Sequence, residues 1–366
     1  MVAMQNVTSN MFEPQIFQEL VNALEPAKGL KLYNSVKKET TVFPYAQWTV
    51  KHGRWSELAE FNVPNSKANV IERQPQKQSV GQASLAYMRE GDYFTPTATL
   101  LLKDVEAGND AALKPAEAVI AEQVAEVNSR IDNRIEWMLW QALQGEIRYE
   151  GKNTGPITVD FDMDPTHKIT LGAGQQWDGA GSNAPSVSAL INTLRGWNQL
   201  IQKDASVPNS EAYLTKATFD LLIQAWTDAA TSDANRALLT DAMINQYYAT
   251  GEIGGFMGVE KWTTVEQYFD VRNADGSVTV KPYIPHGTVI FGNTTQNSPL
   301  KYVQGPSADF SAPSRTPGRF AKNWITEDPS GRQFLIEEMG LAILTNPDQV
   351  AVAKVASDTW VNAQTW

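Results

Sequence analysis

The chain has 366 residues, with 30 Lys and Arg against 41 Asp and Glu, giving a net charge of −11 with histidine neutral. Such an acidic balance speaks against a nucleic-acid reader built on a basic patch. The absence of cysteine rules out disulfides, thiolate metal sites, iron–sulfur clusters and cysteine nucleophiles. At this length two or three compact domains, or one elongated body with long excursions, are expected. No apolar run of about 18 residues is present to cross a bilayer, and residues 1–12 lack the basic-then-apolar order of a secretion signal, so a chain made and used in solution, without membrane contact, is expected. Charged residues make up only 19% and aromatics 10%, a balance that partner-covered surface and a large aromatic core would each produce.

Residues 14–24 predict a short amphipathic helix, with Pro14 suited to its first turn and Phe17, Leu20, Val21 and Leu24 along one face. From Tyr33 to Val50 the text is strand-like around a break at Pro44. Residues 52–100 carry no sustained helical period. Trp55, Phe61, Tyr87, Tyr93 and Phe94 punctuate the stretch, and two strand-like pieces over 83–89 and 93–101 flank Gly91-Asp92, read as a turn. A projecting β-arm is expected there. Because an isolated strand pair is marginal in water, such an arm gains order by lying on something else.

The strongest helix signal covers about 115–144, where Val119, Ile120, Val124, Val127, Ile131, Ile135, Met138, Leu139 and Leu143 follow the 3.6-residue period. Pro115 fits its first position and Gly145 its stop. At 1.5 Å per residue this strut is roughly 45 Å long. A hairpin is expected over 147–163, turning at 151–156. Further on, Ser186 caps a helix carrying Leu190, Leu194, Trp197 and Ile201; a short strand follows at Tyr213-Leu214; Thr215 caps the next helix, and another runs over about 235–248. Strands are expected over 261–269 and 277–284, joined by a turn at 273–276, and over 288–291. Residues 304–319 read as a loop or hinge, followed by closing strands at 334–336, 341–345 and 349–355.

Catalytic and metal chemistry finds little support. His52, His167 and His286 do not stand at ligand spacing from one another, so structural or exposed roles are expected. Asp160, Asp162 and Asp164 open like a calcium loop, but Pro165 occupies the place of the turn glycine and Leu171 that of the closing glutamate. Gly251, Gly254, Gly255 and Gly258 lack the Lys-Ser or Lys-Thr of a phosphate loop and read as turn glycines. Trp177 stands where a dinucleotide motif needs its third glycine. No Gly-x-Ser-x-Gly elbow occurs. No catalytic residue, cofactor or metal is assigned.

The order of parts resembles the HK97-type fold of tailed-bacteriophage major capsid proteins. Within that group the C-terminal stretch is similar to the lambda-like major capsid protein family, on Pro282-Tyr283-Ile284-Pro285, Val289-Ile290-Phe291-Gly292-Asn293-Thr294, Lys322-Asn323-Trp324-Ile325-Thr326, Asp328-Pro329, Phe334 and Leu344-Thr345-Asn346-Pro347-Asp348. Gly155-Pro156-Ile157-Thr158-Val159-Asp160 and Gly174-Gln175-Gln176-Trp177 add to it.

The resemblance implies an α+β, HK97-like capsid fold: an N-terminal arm at 1–51, an extended loop at 52–100, a peripheral domain from 101–180 and 320–356 with the spine helix, and an axial α/β domain at 181–319. A tail at 357–366 has no place in this plan. The implied role is a non-enzymatic shell protein, a homo-oligomer in hexamers and pentamers of an icosahedral head. Its implied partners are a scaffold protein, a portal and a decoration protein, with packaged double-stranded DNA held without sequence-specific binding. It would be assembled in the host bacterial cytoplasm and end in the virion. Trp48, Arg54, Trp55, Phe61, Arg73, Tyr87, Arg89 and Tyr93 are the candidate subunit-interface residues: aromatic anchors, and arginines able to pair with acidic neighbours. Lys67 and Lys77 lie in the loop, but nothing marks them for lysine–asparagine crosslinking. Two rivals remain: an encapsulin-type compartment sharing the fold, and a soluble carboxylate-based hydrolase, which would stay a small oligomer.

Overall fold

A computed structural model describes residues 13–27, 29–52, 78–107, 109–151, 154–179, 184–207, 211–229, 239–256, 258–272, 276–294, 298–327 and 330–363. In chain order, helix α1 (Pro14–Ala23) and the single turn α2 (Leu32–Ser35) precede strands β1 (Lys37–Thr40), β2 (Tyr45–Lys51), β3 (Gln78–Ser84) and β4 (Ala86–Tyr93). Helix α3 (Pro96–Glu106) and a 3-10 turn, Asp110–Ala112, lead into the long helix α4 (Leu113–Leu143), and the hairpin β5 (Glu146–Gly151) and β6 (Thr154–Asp160) follows. Next come β7 (Lys168–Thr170), α5 (Val187–Ala205), β8 (Glu211–Leu214), α6 (Lys216–Ala229), α7 (Asp241–Thr250), β9 (Glu252–Phe256), β10 (Val259–Thr264), β11 (Tyr268–Arg272), β12 (Val278–Pro282), β13 (Thr288–Gly292) and β14 (Leu300–Gln304). Strands β15 (Phe320–Glu327), β16 (Ser330–Leu344) and β17 (Val350–Lys354) and helix α8 (Asp358–Ala363) complete the order. Among the described residues no helix is long and apolar enough to cross a membrane.

Local signals place many of these elements where expected. Pro14 opens α1, and Phe17 and Val21 are buried. The predicted stripe of α4 is buried at Ile120, Val124, Val127, Ile131, Ile135, Met138, Leu139 and Leu143. Gly145, at φ +87°, follows the helix in a conformation that favours glycine. Pro115 sits at the third helical position rather than the first, still within the turn whose amides have no helical acceptor. The Ser186 hydroxyl accepts the Ala189 amide at 3.2 Å, and the Thr215 hydroxyl accepts that of Thr218 at 3.4 Å. Helix α7 starts after its cap Thr240, and the expected earlier start near 235 falls outside the described residues.

Other expectations are corrected. Gly91-Asp92 is no turn: both lie inside β4, antiparallel to β16, with Gly91 opposite Leu335. A Cβ on Gly91 would lie 2.8 Å from the Phe334 carbonyl oxygen, so this glycine serves close strand approach. The strand-like text over 93–101 instead turns into α3 once Pro96 has set its first turn. Tyr33 stands in α2 because the Glu136 carboxylate accepts the amides of Lys31, Leu32 and Tyr33, at 3.1, 3.1 and 2.7 Å. The stretch read as one strand over 261–269 is divided between β10 and β11. The two closing strands at 334–336 and 341–345 are one 15-residue strand, β16, in which Glu337 and Glu338 are buried with partners. Gly340 continues it because the Tyr302 hydroxyl fills the space a Cβ would need.

The chain divides into two compact units. The first draws on 1–47, 82–139 and 302–342, and the second on 48–81, 140–301 and 343–366. The first holds a sheet in the order β1-β14-β16-β15, with β4 also paired to β16. On one face, Phe334 stacks on Phe94 at 4.8 Å and meets Phe17 edge-on at 6.2 Å. Gln18 of α1 holds the outer edge of β15, donating to the Arg319 carbonyl and accepting the Ala321 amide, both at 2.8 Å.

The second unit holds a six-stranded sheet in the order β7-β17-β13-β8-β10-β9, and two-stranded ribbons β5–β6 and β11–β12. Leu190, Leu194, Trp197 and Ile201 of α5 and Phe219, Leu222 and Trp226 of α6 share an apolar core with Trp262 and Phe291 of the sheet. Of the 357–366 tail, without a place in the expected plan, residues 357–363 belong here: Trp360 and Val361 pack on this core, and Asp178 accepts the Ser357 amide at 3.1 Å. His167 is buried, its Nδ1 2.8 Å from the Val350 carbonyl oxygen and its Nε2 3.2 Å from Asp204. His286 Nδ1 lies 2.9 Å from the Thr215 hydroxyl.

Candidate assembly surface

Alternation along β16 sends two neighbouring glutamates to opposite faces of the first unit's sheet. Glu338 goes to the covered face, where its Oε2 receives Arg319 Nε at 2.7 Å and its Oε1 receives the Tyr302 hydroxyl at 2.8 Å and Gln304 Nε2 at 2.9 Å. The other arms of Arg319 reach Asp132 Oδ1 at 2.8 Å and Asn128 Oδ1, both on α4. Asp132 Oδ2 in turn accepts the Ala27 amide at 3.2 Å. Burial works against the Arg319 cation, but Glu338 and Asp132 outweigh it and hold its pKa above its already high range. Burial, with Glu338 adding to it, raises the Tyr302 phenol. One guanidinium thus joins the spine helix, the long strand and, through Asp132, the segment after α1.

Glu337 points to the opposite face. Its side chain is fully buried, accepting the Tyr87 hydroxyl at 2.5 Å, the Asp309 amide at 3.1 Å and the Ser307 hydroxyl. Arg89 faces Asp309 at 3.5 Å and Glu337 at 3.7 Å, and Lys322 pairs with Asp309. Burial pushes Asp309 up, yet Lys322 and the Ser311 amide together hold its carboxyl below the usual range. The Tyr87 phenol is pushed up to about 12, first by burial and then by Glu337. The charges of this face are therefore largely satisfied within the chain. What remains open is aromatic: Tyr87, Tyr93, Trp324 and Phe310 are exposed, Phe310 completely.

Of the candidate interface residues, Tyr87, Arg89 and Tyr93 alternate along β4 and so share this open face. Trp48 is buried instead, its ring 5.8 Å from that of Phe161 and closely covered by Gly81, so its area is spent inside the chain. Arg54, Trp55, Phe61 and Arg73 lie outside the described residues. Phe310 and Trp324 are exposed as well but were not among those candidates, Trp324 entering only through the family motif. A phenylalanine within the Pro- and Ser-rich 304–319 stretch was the available signal, since an apolar ring in a polar loop has no local reason to be there. Among the described residues no group of three or more Asp, Glu or His is arranged to hold a metal ion.

The sequence pattern of the family described as phage major capsid protein E matches residues 43–355. This chain belongs to that family. No curated protein matches it by sequence. Among solved structures, a protein of an Escherichia coli CFT073 prophage assigned as its capsid protein shares 15% identity at a TM-score of 0.61, covering 93% of this chain and 98% of that one. A phage-related protein from Bordetella bronchiseptica RB50 shares 10% identity at a TM-score of 0.54, covering 93% and 97%. At such identities the likeness is one of fold, the HK97-type capsid fold. The capsid protein is structural and non-enzymatic, it assembles with copies of itself, and its place is the capsid of the virion.

Proposed function

We propose that this capsid protein closes into an icosahedral head from hexamers and pentamers, with the excursion between β2 and β3 as the part of the expected 52–100 loop that lies over a neighbouring subunit, since β4 and the start of α3, in the same stretch, pack within the chain's own first unit. On this reading the peripheral domain is drawn from 101–180 and 320–356 and the axial one from 181–319, except where the sheets cross these bounds: β7 and β17 pair into the sheet of β13 in the second unit, and β14 into that of β16 in the first. A scaffold protein and a portal direct closure in the host bacterial cytoplasm, and a decoration protein, rather than lysine–asparagine crosslinks, reinforces the shell around double-stranded DNA. The net charge of −11 suits a wall that releases the DNA it contains.

The observation that carries the reading is the open face of the first unit's sheet. Tyr87, Tyr93 and Trp324 are exposed on one face and Phe310, next to Asp309 in the chain, is fully exposed, while the charges on that face are already paired within the chain. Aromatic area of this kind stabilises association once it is covered. The chain carrying Tyr87→Ala and Tyr93→Ala, expressed with its scaffold and portal, should yield few closed shells by electron microscopy. Normal particles at normal yield would refute the reading.

A further inference from the structure

The ribbon β2–β3 leaves and re-enters the described structure at His52 and Gln78, and both of its legs meet one carboxylate. Asp162, in the turn after β6, lies with Oδ2 3.4 Å from His52 Nε2 and accepts the Ser79 hydroxyl at 3.5 Å. The backbone of Asp162 is left-handed at φ +57°, and its amide is held by Asp160 Oδ1 at 2.9 Å. On its other side the His52 ring meets Asp348 of the Pro347–Gln349 turn, Nδ1 to Oδ1 at 3.2 Å. Beside it the end of β2 is fastened by the Lys51 amide to the Thr345 carbonyl at 3.0 Å. Asp162 and Asp348 are the charged groups within ion-pair distance of the ring among the described residues, and β3 contributes the neutral Ser79.

The two ring nitrogens are not equivalent. Nδ1 makes its hydrogen bond, whereas Nε2 is buried, faces a carboxylate, and has no hydrogen-bond partner. A neutral imidazole has one N–H and satisfies one of the two carboxylates, while an imidazolium donates to both. We propose that His52 is a proton-operated tie at the root of this ribbon. Charged, it bridges Asp348 and Asp162 and through Asp162 holds the returning leg at Ser79. Neutral, it keeps Asp348 and releases Asp162. The proton comes from solvent and nothing else is exchanged. Any consequence for shell assembly rests on the extended-loop reading above, but the tie itself is a property of the single chain.

Hydrogen exchange of the unassembled full chain, corrected for intrinsic rates, tests it at about pH 5.5 and about pH 8, on either side of the ordinary histidine range. Peptides covering 45–52 and 78–84 should be about threefold better protected at the lower pH, the worth of an ion pair whose carboxylate is 71% exposed to solvent. His52→Gln should remove that difference, and Asp162→Asn should do the same, while the β13 and β17 peptides stay unchanged. Equal protection of the wild-type ribbon at both pH values, or an acid gain that survives in His52→Gln, would overturn the proposal. A second readout needs no variant: in wild-type NMR titrations the amides of Ser79 and Asp162 should move with the His52 ring, and a ring that titrates without them refutes the tie. If the ribbon responds to pH as stated but shell formation proves indifferent to deletion of 53–77, the tie stands and the loop reading falls.

Discussion

Arg319→Ala removes one cation from between two carboxylates that water does not reach. The Asp132 and Glu338 side chains are 1% and 2% exposed and that of Arg319 is 11%. Breaking a buried ion pair from one side costs about 3–5 kcal/mol, because the remaining charge stays desolvated. Here two charges are orphaned at once. Some compensation persists, since the Ala27 amide still donates to Asp132, and Tyr302 and Gln304 still donate to Glu338. The expected loss is therefore about 4 kcal/mol at neutral pH, equivalent to roughly a 10 °C lower midpoint for a unit of this size. Urea unfolding of the unassembled chain, followed by tryptophan fluorescence, measures it. A loss below about 1 kcal/mol would mean that water reaches the network and would refute the reasoning.

Gly91→Val sets a side chain 2.8 Å from the Phe334 carbonyl oxygen, so β4 must move off β16, at a cost of about 1–3 kcal/mol. Hydrogen exchange of residues 86–93 should rise sharply, and unchanged protection would refute the close approach. His286 is held below its ordinary range by burial, with Glu266 opposing. It contributes stability above the ordinary histidine range that is lost as pH falls through the lowered value, so the second unit should melt earlier in acid. His286→Gln should flatten that dependence in melts at neutral and acidic pH, and a variant as acid-sensitive as the wild type would refute the assignment.

The sequence alone determined what depends on neighbours within a few turns of chain. The buried stripe of α4, the Ser186 and Thr215 caps, the β5–β6 hairpin and the β13 strand follow from periodicity and from short-range hydrogen bonding. The C-terminal motifs also carried the family resemblance, which fixed the expected function. Tertiary structure decided every position whose partner is far away in sequence. Tyr33 is helical because of Glu136, 103 residues on, and Arg319 is buried because Asp132, 187 residues earlier, receives it. Gly91 reads as a turn until a second strand lies against it, and Glu337 and Glu338 read as a strand break until Tyr87, Ser307, Tyr302 and Arg319 surround them. Trp48 and Tyr87 look alike as anchors, and only packing sends one inside and leaves the other in the open. Local pattern reports which face of an element is apolar, but a buried charge is tolerable only where remote groups bring it donors or a counter-charge, and no local window contains them.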